Sequence, residues 1–360
     1  MKFQKRLLDQ GSYEAASVFD VDNDGIPDMI CGAYWYKGPD YLEKHQICEV
    51  QAEGEYFDDF CDFGMDVNGD GRIDIITGGW WGKILRWREN PGTTGLWAVH
   101  DIDTCGCIET IRFFDIDGCG TPEIFPNTPG DPQVCYKLIR DDKGLGTGKF
   151  EKYVLYDQPS GHGLGFADLD GNGKMDLALC KGWLEQPVDG PFSGPWRFHA
   201  DYDCGFGAAS VPMIGLDVNE DGLVDLIVGN AHGYGLVWLE QQIDAKGNRV
   251  FIRHVIDDQH AQYHDLQLCD IDGDGILELV TGKRYRAHCG NDPGDNDPVF
   301  IYSYKINQGA FDREVIEEGD ATAGFSGVGI YFWLQDLTGN GLPDLVAPGK
   351  EGLYLFKNLR

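Results

Sequence analysis

No run of 18 consecutive apolar residues occurs in this sequence, so no helix long enough to cross a bilayer is expected. No apolar segment follows the basic start Met1-Lys-Phe-Gln-Lys-Arg6, which leaves no secretory signal to read and points to a cytoplasmic protein. Basic residues are scarce. The 29 Lys and Arg face 60 Asp and Glu, and the resulting charge of −31 repels phosphate backbones and anionic lipids, so neither nucleic acid nor membrane is expected as a partner. A Ser/His/Asp nucleophile signature, a P-loop and a dinucleotide fingerprint are all missing. Methionine is rare at five residues and helical periodicity is absent, whereas 50 glycines imply many tight turns and therefore many short strands. The eleven cysteines are odd in number and sit mostly in apolar runs such as Met29-Ile30-Cys31 and Leu177-Ala178-Leu179-Cys180, which reads as reduced core thiols.

What the chain does have is a repeat. The pattern D-x-[DNT]-x-[DNC]-G-x-x-[DE] occurs seven times, opening at Asp20, Asp66, Asp115, Asp168, Asp217, Asp270 and Asp336. Successive copies lie 46 to 66 residues apart, a propeller-like period. Each copy sits between two short apolar strands. An aromatic third strand such as Leu236–Leu239 and an alternating fourth such as Phe251–Asp257 follow. The reading is an all-β protein, a single seven-bladed β-propeller of four-stranded blades over residues 1–360. The last motif leaves too little chain for a fourth strand, and Phe3–Asp9 matches the fourth-strand pattern. The N-terminal strand is therefore expected to complete the last blade and close the ring.

Alternate oxygen side chains, glycine at position six and a carboxylate at position nine describe a loop for a hard cation. Five loops keep every ligand type and are expected to hold structural Ca²⁺: Asp20, Asp22, Asp24 and Asp28; Asp66, Asn68, Asp70 and Asp74; Asp168, Asp170, Asn172 and Asp176; Asp217, Asn219, Asp221 and Asp225; Asp270, Asp272, Asp274 and Glu278. Cys119 in the third loop and Thr338 in the seventh weaken those two. The loops hold more than a third of the acidic residues, so much of the charge belongs to the scaffold. Loops and flanking Gly-rich strands resemble the FG-GAP/VCBS repeats of integrin-type and bacterial propellers along essentially the whole chain. That resemblance implies fold more than function.

With the loops on one face, residues about six positions before each motif reach the opposite face, since six strand residues span about 20 Å. Those positions are Glu14, Phe60, Glu109, His162, Val211, His264 and Ile330. Fifteen positions after each motif start stand Trp35, Trp81, Gly130, Trp183, His232, Tyr285 and Glu351, with Lys181, Asn230 and Lys283 two residues earlier in three blades. His162, His232 and His264, from three adjacent blades, are expected to hold a divalent metal, Zn²⁺ above others. Trp35, Trp81, Trp183, Lys181, Asn230, Glu14 and Glu109 are the expected substrate contacts. His45, His100, His199 and His254 fall in outer strands and read as structural.

The segments His260–Gly275, Gly282–Asp292 and Asn230–Gly235 resemble the propeller domain of aldos-2-ulose dehydratases and, more distantly, propeller polysaccharide lyases; the cupin domains of the former are missing here. The resemblance implies a carbon–oxygen lyase, a dehydratase or glycan lyase acting on a keto sugar or uronide by metal-assisted β-elimination. Such chemistry needs a base, an electrophile and an acid. His264 with the metal, His288, Tyr263 and Tyr285 for proton transfer, and Lys283 and Arg284 for the developing anion fill those roles. A non-catalytic sugar-binding module stabilised by calcium, and a glycoside hydrolase using Glu14 and Glu109 as paired carboxylates, remain as alternatives.

Overall fold

The computed structural model describes residues 1–359, and among these the helical content is two short turns, Ala287–Cys289 and Ala321–Ala323. The rest is strands and connecting loops, the strands paired antiparallel in chain order except at one seam. Four strands, Ala16–Phe19, Asp28–Cys31, Tyr34–Lys37 and Glu43–Gln46, form the first sheet; Phe63–Met65, Asp74–Gly78, Ile84–Glu89 and Ala98–Thr104 the next; Thr110–Phe114, Glu123–Asn127, Pro132–Arg140 and Gly146–Pro159 the third. Further on, Tyr263–Cys269, Glu278–Lys283, Val299–Asn307 and Ala310–Gly319 make another four-stranded sheet. The last contains Trp333–Gln335, Asp344–Ala347, Leu353–Asn358 and, as its outer edge, Phe3–Asp9. The expected pairing of the first strand with the end of the chain is present, Phe3 opposite Asn358 through Leu7 opposite Tyr354.

The arrangement is an all-β propeller, but the expectation of seven separate blades needs correction, because five stand as separate four-stranded sheets. The strands around the fourth and fifth loops, Leu164–Ala167 to Arg197–His199 and Met213–Leu216 to Arg249–Ala261, are continuous in one eight-stranded sheet. Its seam is a parallel pairing of two first strands, Gly165 with Met213 and Phe166 with Ile214. Small residues explain the seam. A Cβ on Gly165 would lie 2.2 Å from the Met213 carbonyl oxygen, and one on Gly215 2.5 Å from Ala167 Cβ, so only glycine lets the two backbones approach to pairing distance.

The acidic loops fold as their spacing requires. Each sixth-position glycine, Gly25 (φ 85°) and Gly173 (φ 84°) among them, takes the left-handed conformation and donates its N–H to the opening aspartate. The ninth-position carboxylates do a second job. Asp28, Asp74, Asp176 and Asp225 are buried, and each accepts one N–H from its own loop and one from further along its sheet, as Asp176 does from Leu169 at 3.0 Å and Gln186 at 2.9 Å. Loop and sheet are thereby latched together, at the cost of a buried charge: burial raises Asp176 to about 7 and Asp74 and Asp225 to about 6.

The four outer-strand histidines are structural, as expected, and they share one device. His45, His100, His199 and His254 each lie against the third-strand tryptophan of the same sheet (Trp35, Trp87, Trp183 and Trp238, ring centroids 4.2 to 4.7 Å apart). Each Nε2 also meets a glutamate: Glu43, Glu89, Glu185 and Glu240 in turn. An aromatic pair and a charge-assisted bond thus fix the outer strand four times over.

Candidate metal and substrate site

First strands converge at one point. Glu109, immediately before Thr110–Phe114, places Oε1 2.9 Å from His264 Nε2, 3.5 Å from His162 Nε2 and 3.9 Å from His232 Nε2. The four ligand atoms all lie within 4.8 Å of one another. Glu109 was expected among the substrate contacts; it stands instead inside the histidine cluster.

The remote ring nitrogens set the chemistry. His162 Nδ1 lies 2.7 Å from the Ala209 carbonyl, which can only accept, so the proton is on Nδ1 and a neutral ring leaves Nε2 bare. His232 Nδ1 lies 2.8 Å from the Asp292 carboxylate and is fixed the same way. These two bare nitrogens stand 3.3 Å apart, each beside a carboxylate oxygen. Two lone pairs cannot bond each other, so the pair calls for a shared proton or a cation. Burial pushes His232 down and His264 well down from the ordinary histidine range, which keeps both rings neutral at pH 7. The donor set of three imidazoles and one carboxylate suits a borderline divalent ion. His264 fits less fully, since its Nδ1 is buried without a partner among the described residues.

Charge around the cluster is balanced within the protein. Arg284 is buried and donates from Nε to Glu14 at 2.9 Å and from Nη1 to Glu109 at 3.1 Å, while Lys350 Nζ lies 3.0 Å from Glu14. Burial raises both carboxyls, but Arg284 and Lys350 outweigh it at Glu14, bringing it to about 2. At Glu109 the neighbouring His162, His264 and Arg284 hold it well below the usual range. Both glutamates are therefore ionised at neutral pH. A glycosidase pair needs one protonated acid, so Glu14 and Glu109 do not supply that chemistry.

Arg112, three residues after Glu109, reaches across to other sheets. It donates to Asp265 at 2.7 Å and to the carbonyls of Val211 and Ile330, tying together four parts of the chain. A cavity of about 240 Å³ lies beyond, lined by Arg112, Asp265, Gln267 and Tyr331 to Leu334.

On the other side of Glu109 and Arg284 opens a pocket walled by Tyr56, Phe60, Trp80, Trp81 and His288. His288 stacks on His232 (centroids 4.4 Å) and shares Asp292, its Nδ1 lying 2.9 Å from the carboxylate. Of the expected substrate tryptophans, only Trp81 is here. Trp35 and Trp183 are buried core residues, because their second and third strands are joined by two-residue turns and position fifteen falls inside the third strand. Trp81 and His232 occupy longer loops at the mouth.

Several other expected site residues point elsewhere. Lys283 is buried and donates to the carbonyls of Gly294 and Asp297, beside a different cavity with His260 and Glu318. Tyr263 is fully buried with its hydroxyl 3.2 Å from that of Tyr304, and burial raises it far above the usual range, so it moves no proton. Tyr285 lines an outer cleft with Asp297 and Asp320. Asn230 holds its own loop, donating to the Tyr234 carbonyl and accepting from His232 N–H, and so places His232 without facing the pocket. Lys181 is largely exposed, near Asp203 at 3.9 Å. Position counting missed Asp292 and Lys350, and passed over Tyr56 and Trp80 although aromatic runs mark both.

Among the calcium loops, the carboxylates of Asp20, Asp22 and Asp28, and of Asp168, Asp170 and Asp176, are grouped closely enough for one ion. In the first and sixth loops a lysine already stands among them: Lys37 pairs with Asp22 and Asp24, and Lys305 with Asp272 and Asp274.

Comparison with known proteins agrees on fold. A lectin of Agrocybe aegerita, described as recognising non-reducing terminal N-acetylglucosamine, superposes with a TM-score of 0.51 at 16% identity, covering 97% of this chain and 90% of its own. BBS1N, crystallised in complex with ARL6DN and soaked with mercury, gives 0.53 at 10% identity, covering 99% and 96%. No curated protein matches the sequence. Residues 217–281 match the FG-GAP-like repeat, so the chain is an all-β propeller that carries an FG-GAP-like repeat.

Proposed function

We propose that the chain is a carbohydrate-active carbon–oxygen lyase, a dehydratase or glycan lyase that performs metal-assisted β-elimination on a keto sugar or uronide. The carrying observation is the pair of bare imidazole nitrogens, His162 and His232, facing one another beside Glu109 at the wall of an aromatic pocket. His162, His232, His264 and Glu109 would hold the ion, Zn²⁺ by donor type. Once bound, the ion supplies a Lewis acid for a substrate carbonyl.

The remaining roles belong to the chain. Trp81, Trp80 and Tyr56 offer ring faces to the apolar face of a pyranose, and they exclude water from the reacting carbon. Arg284 keeps Glu109 ionised and oriented. His288 moves the proton, because it lines the pocket, is held at Nδ1 by Asp292 and has a side chain 60% exposed, open to exchange with solvent. The likeness of His260–Gly275 and Gly282–Asp292 to aldos-2-ulose dehydratases supports elimination over other sugar chemistry. Structural Ca²⁺ belongs to the loops on the opposite face, most simply the fourth, whose carboxylates have no lysine among them.

A second reading, a sugar-binding module without catalysis, is favoured by the aromatic pocket itself and by the lectin that shares the fold. One experiment separates the two. The zinc-loaded protein is incubated with keto sugars and uronides while the ultraviolet absorbance of an unsaturated product is followed, with binding measured calorimetrically in parallel. Turnover lost in His288→Ala supports the lyase; binding without any new absorbance across the panel leaves the module.

A further inference from the structure

We propose that Cys180 and Cys204 form a redox modification site, a dithiol that a small-molecule disulfide closes into an intramolecular disulfide. Both residues are buried, and their Sγ atoms lie 3.0 Å apart. The approach is set by the backbone, since the Cys204 N–H donates to the Cys180 carbonyl at 3.0 Å. Among the described residues no other two thiols lie within hydrogen-bonding distance. The bond between them polarises the pair, lowering Cys204 and raising Cys180 from the ordinary thiol range. A thiolate beside a thiol is the arrangement that exchanges with disulfides.

A route in is present. Cys180 lines a cavity of about 150 Å³ with Tyr156, His162, Lys181 and Phe198. The Lys181 side chain at that cavity is 74% exposed, so the cavity meets solvent there. Cys180, the thiol at the cavity, passes its proton to the neighbouring Cys204 thiolate and attacks one sulfur of the reagent, forming a mixed disulfide and expelling one thiolate. Cys204 then gives that proton up to solvent, attacks the Cys180 sulfur and expels the second thiolate. Two thiols are oxidised, one S–S bond forms and the reagent leaves as two reduced thiols.

The placement gives the bond a consequence. Between the two cysteines run the outer strands Gly182–Glu185 and Arg197–His199, which closure would tie to the strand Asp176–Leu179. Past Cys204, the Phe206 carbonyl accepts from Cys180 Sγ at 3.2 Å, and the Ala209 carbonyl fixes His162. The cysteine pair therefore anchors the segment that orients one imidazole of the cluster. None of this depends on the identity of the substrate or metal.

The test exposes the full folded chain to oxidised glutathione, alkylates the remaining thiols and maps the peptides by mass. The expected product is a Cys180–Cys204 cross-linked peptide two hydrogens lighter than its parts, free of glutathione and reversed by dithiothreitol. Cys204→Ser should instead accumulate glutathione on Cys180, and Cys180→Ala should carry none at either position. The exposed Cys119 and Cys289 are internal controls. If both are glutathionylated while Cys180 and Cys204 still alkylate freely, or if the cross-link appears only in urea, the proposal is wrong. The wild-type map decides even where a variant fails to fold.

Discussion

Arg284→Met removes the guanidinium that joins two buried glutamates while keeping most of its apolar volume. In the native protein Arg284 bonds Glu14 at 2.9 and 3.3 Å and Glu109 at 3.1 Å. Lys350 still neutralises Glu14 in the variant, but Glu109 loses its one guanidinium partner, and burial holds its neighbours His232 and His264 neutral. Removing one partner of a buried ion pair costs about 3–5 kcal/mol. The Glu14 side of the network sets an upper bound on its own share: Glu14 is fully buried and stands at about 2 against an ordinary 4.5 through Arg284 and Lys350 together, which at 1.36 kcal/mol for each unit is about 3 kcal/mol for both cations. The sign follows from proton binding. The folded state binds fewer protons than the unfolded one between about 2 and 4.5, so this stability is complete above 4.5 and is lost as pH falls through the folded value. Urea denaturation of wild type and variant should differ by about 3–5 kcal/mol at pH 7. The gap should narrow as pH drops below 4.5. A gap under about 1 kcal/mol at pH 7, the size of an exposed pair, or one unchanged by acid, would show that Arg284 does not neutralise these buried glutamates.

Deleting residues 1–9 should lower the melting temperature of the whole protein, because Leu353–Asn358 then becomes an unpaired edge; an unchanged melting temperature contradicts this. In chelator, acidification from pH 7.5 toward 5 should raise the melting temperature, since Asp74, Asp176 and Asp225 bind protons more tightly folded than unfolded, with values of about 6, 7 and 6. Added calcium should flatten or invert that slope, and Asp176→Asn should remove its share. Trp81→Ala should weaken sugar binding measured by calorimetry without changing metal content. Trp183→Ala should do the reverse kind of damage, a stability loss of about 3–5 kcal/mol from an emptied core site with pocket binding intact in the folded fraction.

The seven acidic motifs were enough to read the all-β propeller, because each motif fixes a turn between two strands whatever the rest of the sheet does. They were not enough to count separate sheets. The seam at Gly165 and Gly215 depends on small residues in two different repeats approaching through space. Counting six residues back brought out Glu109, His162 and His264, which the structure groups with His232, because each stands the same distance along the chain from its acidic loop. Counting fifteen forward failed at Trp35 and Trp183 and succeeded at Trp81 and His232, since the turn between second and third strands varies in length. Lys283 and Arg284 are neighbours in sequence, yet strand alternation sends one side chain to carbonyls in an outer cavity and the other to Glu14 and Glu109. Asp292 lies in an irregular stretch where no periodicity marks it.

Elemental analysis with zinc titration tests whether His162, His232, His264 and Glu109 hold one divalent ion. The protein, stripped with chelator and titrated at pH 7 in excess calcium, should take up one zinc ion per chain by isothermal calorimetry. His162→Ala and His232→Ala should each abolish that uptake while leaving the far-ultraviolet spectrum and calcium content unchanged. Zinc uptake that is absent in the wild type, or that persists undiminished in both variants, would overturn this metal site.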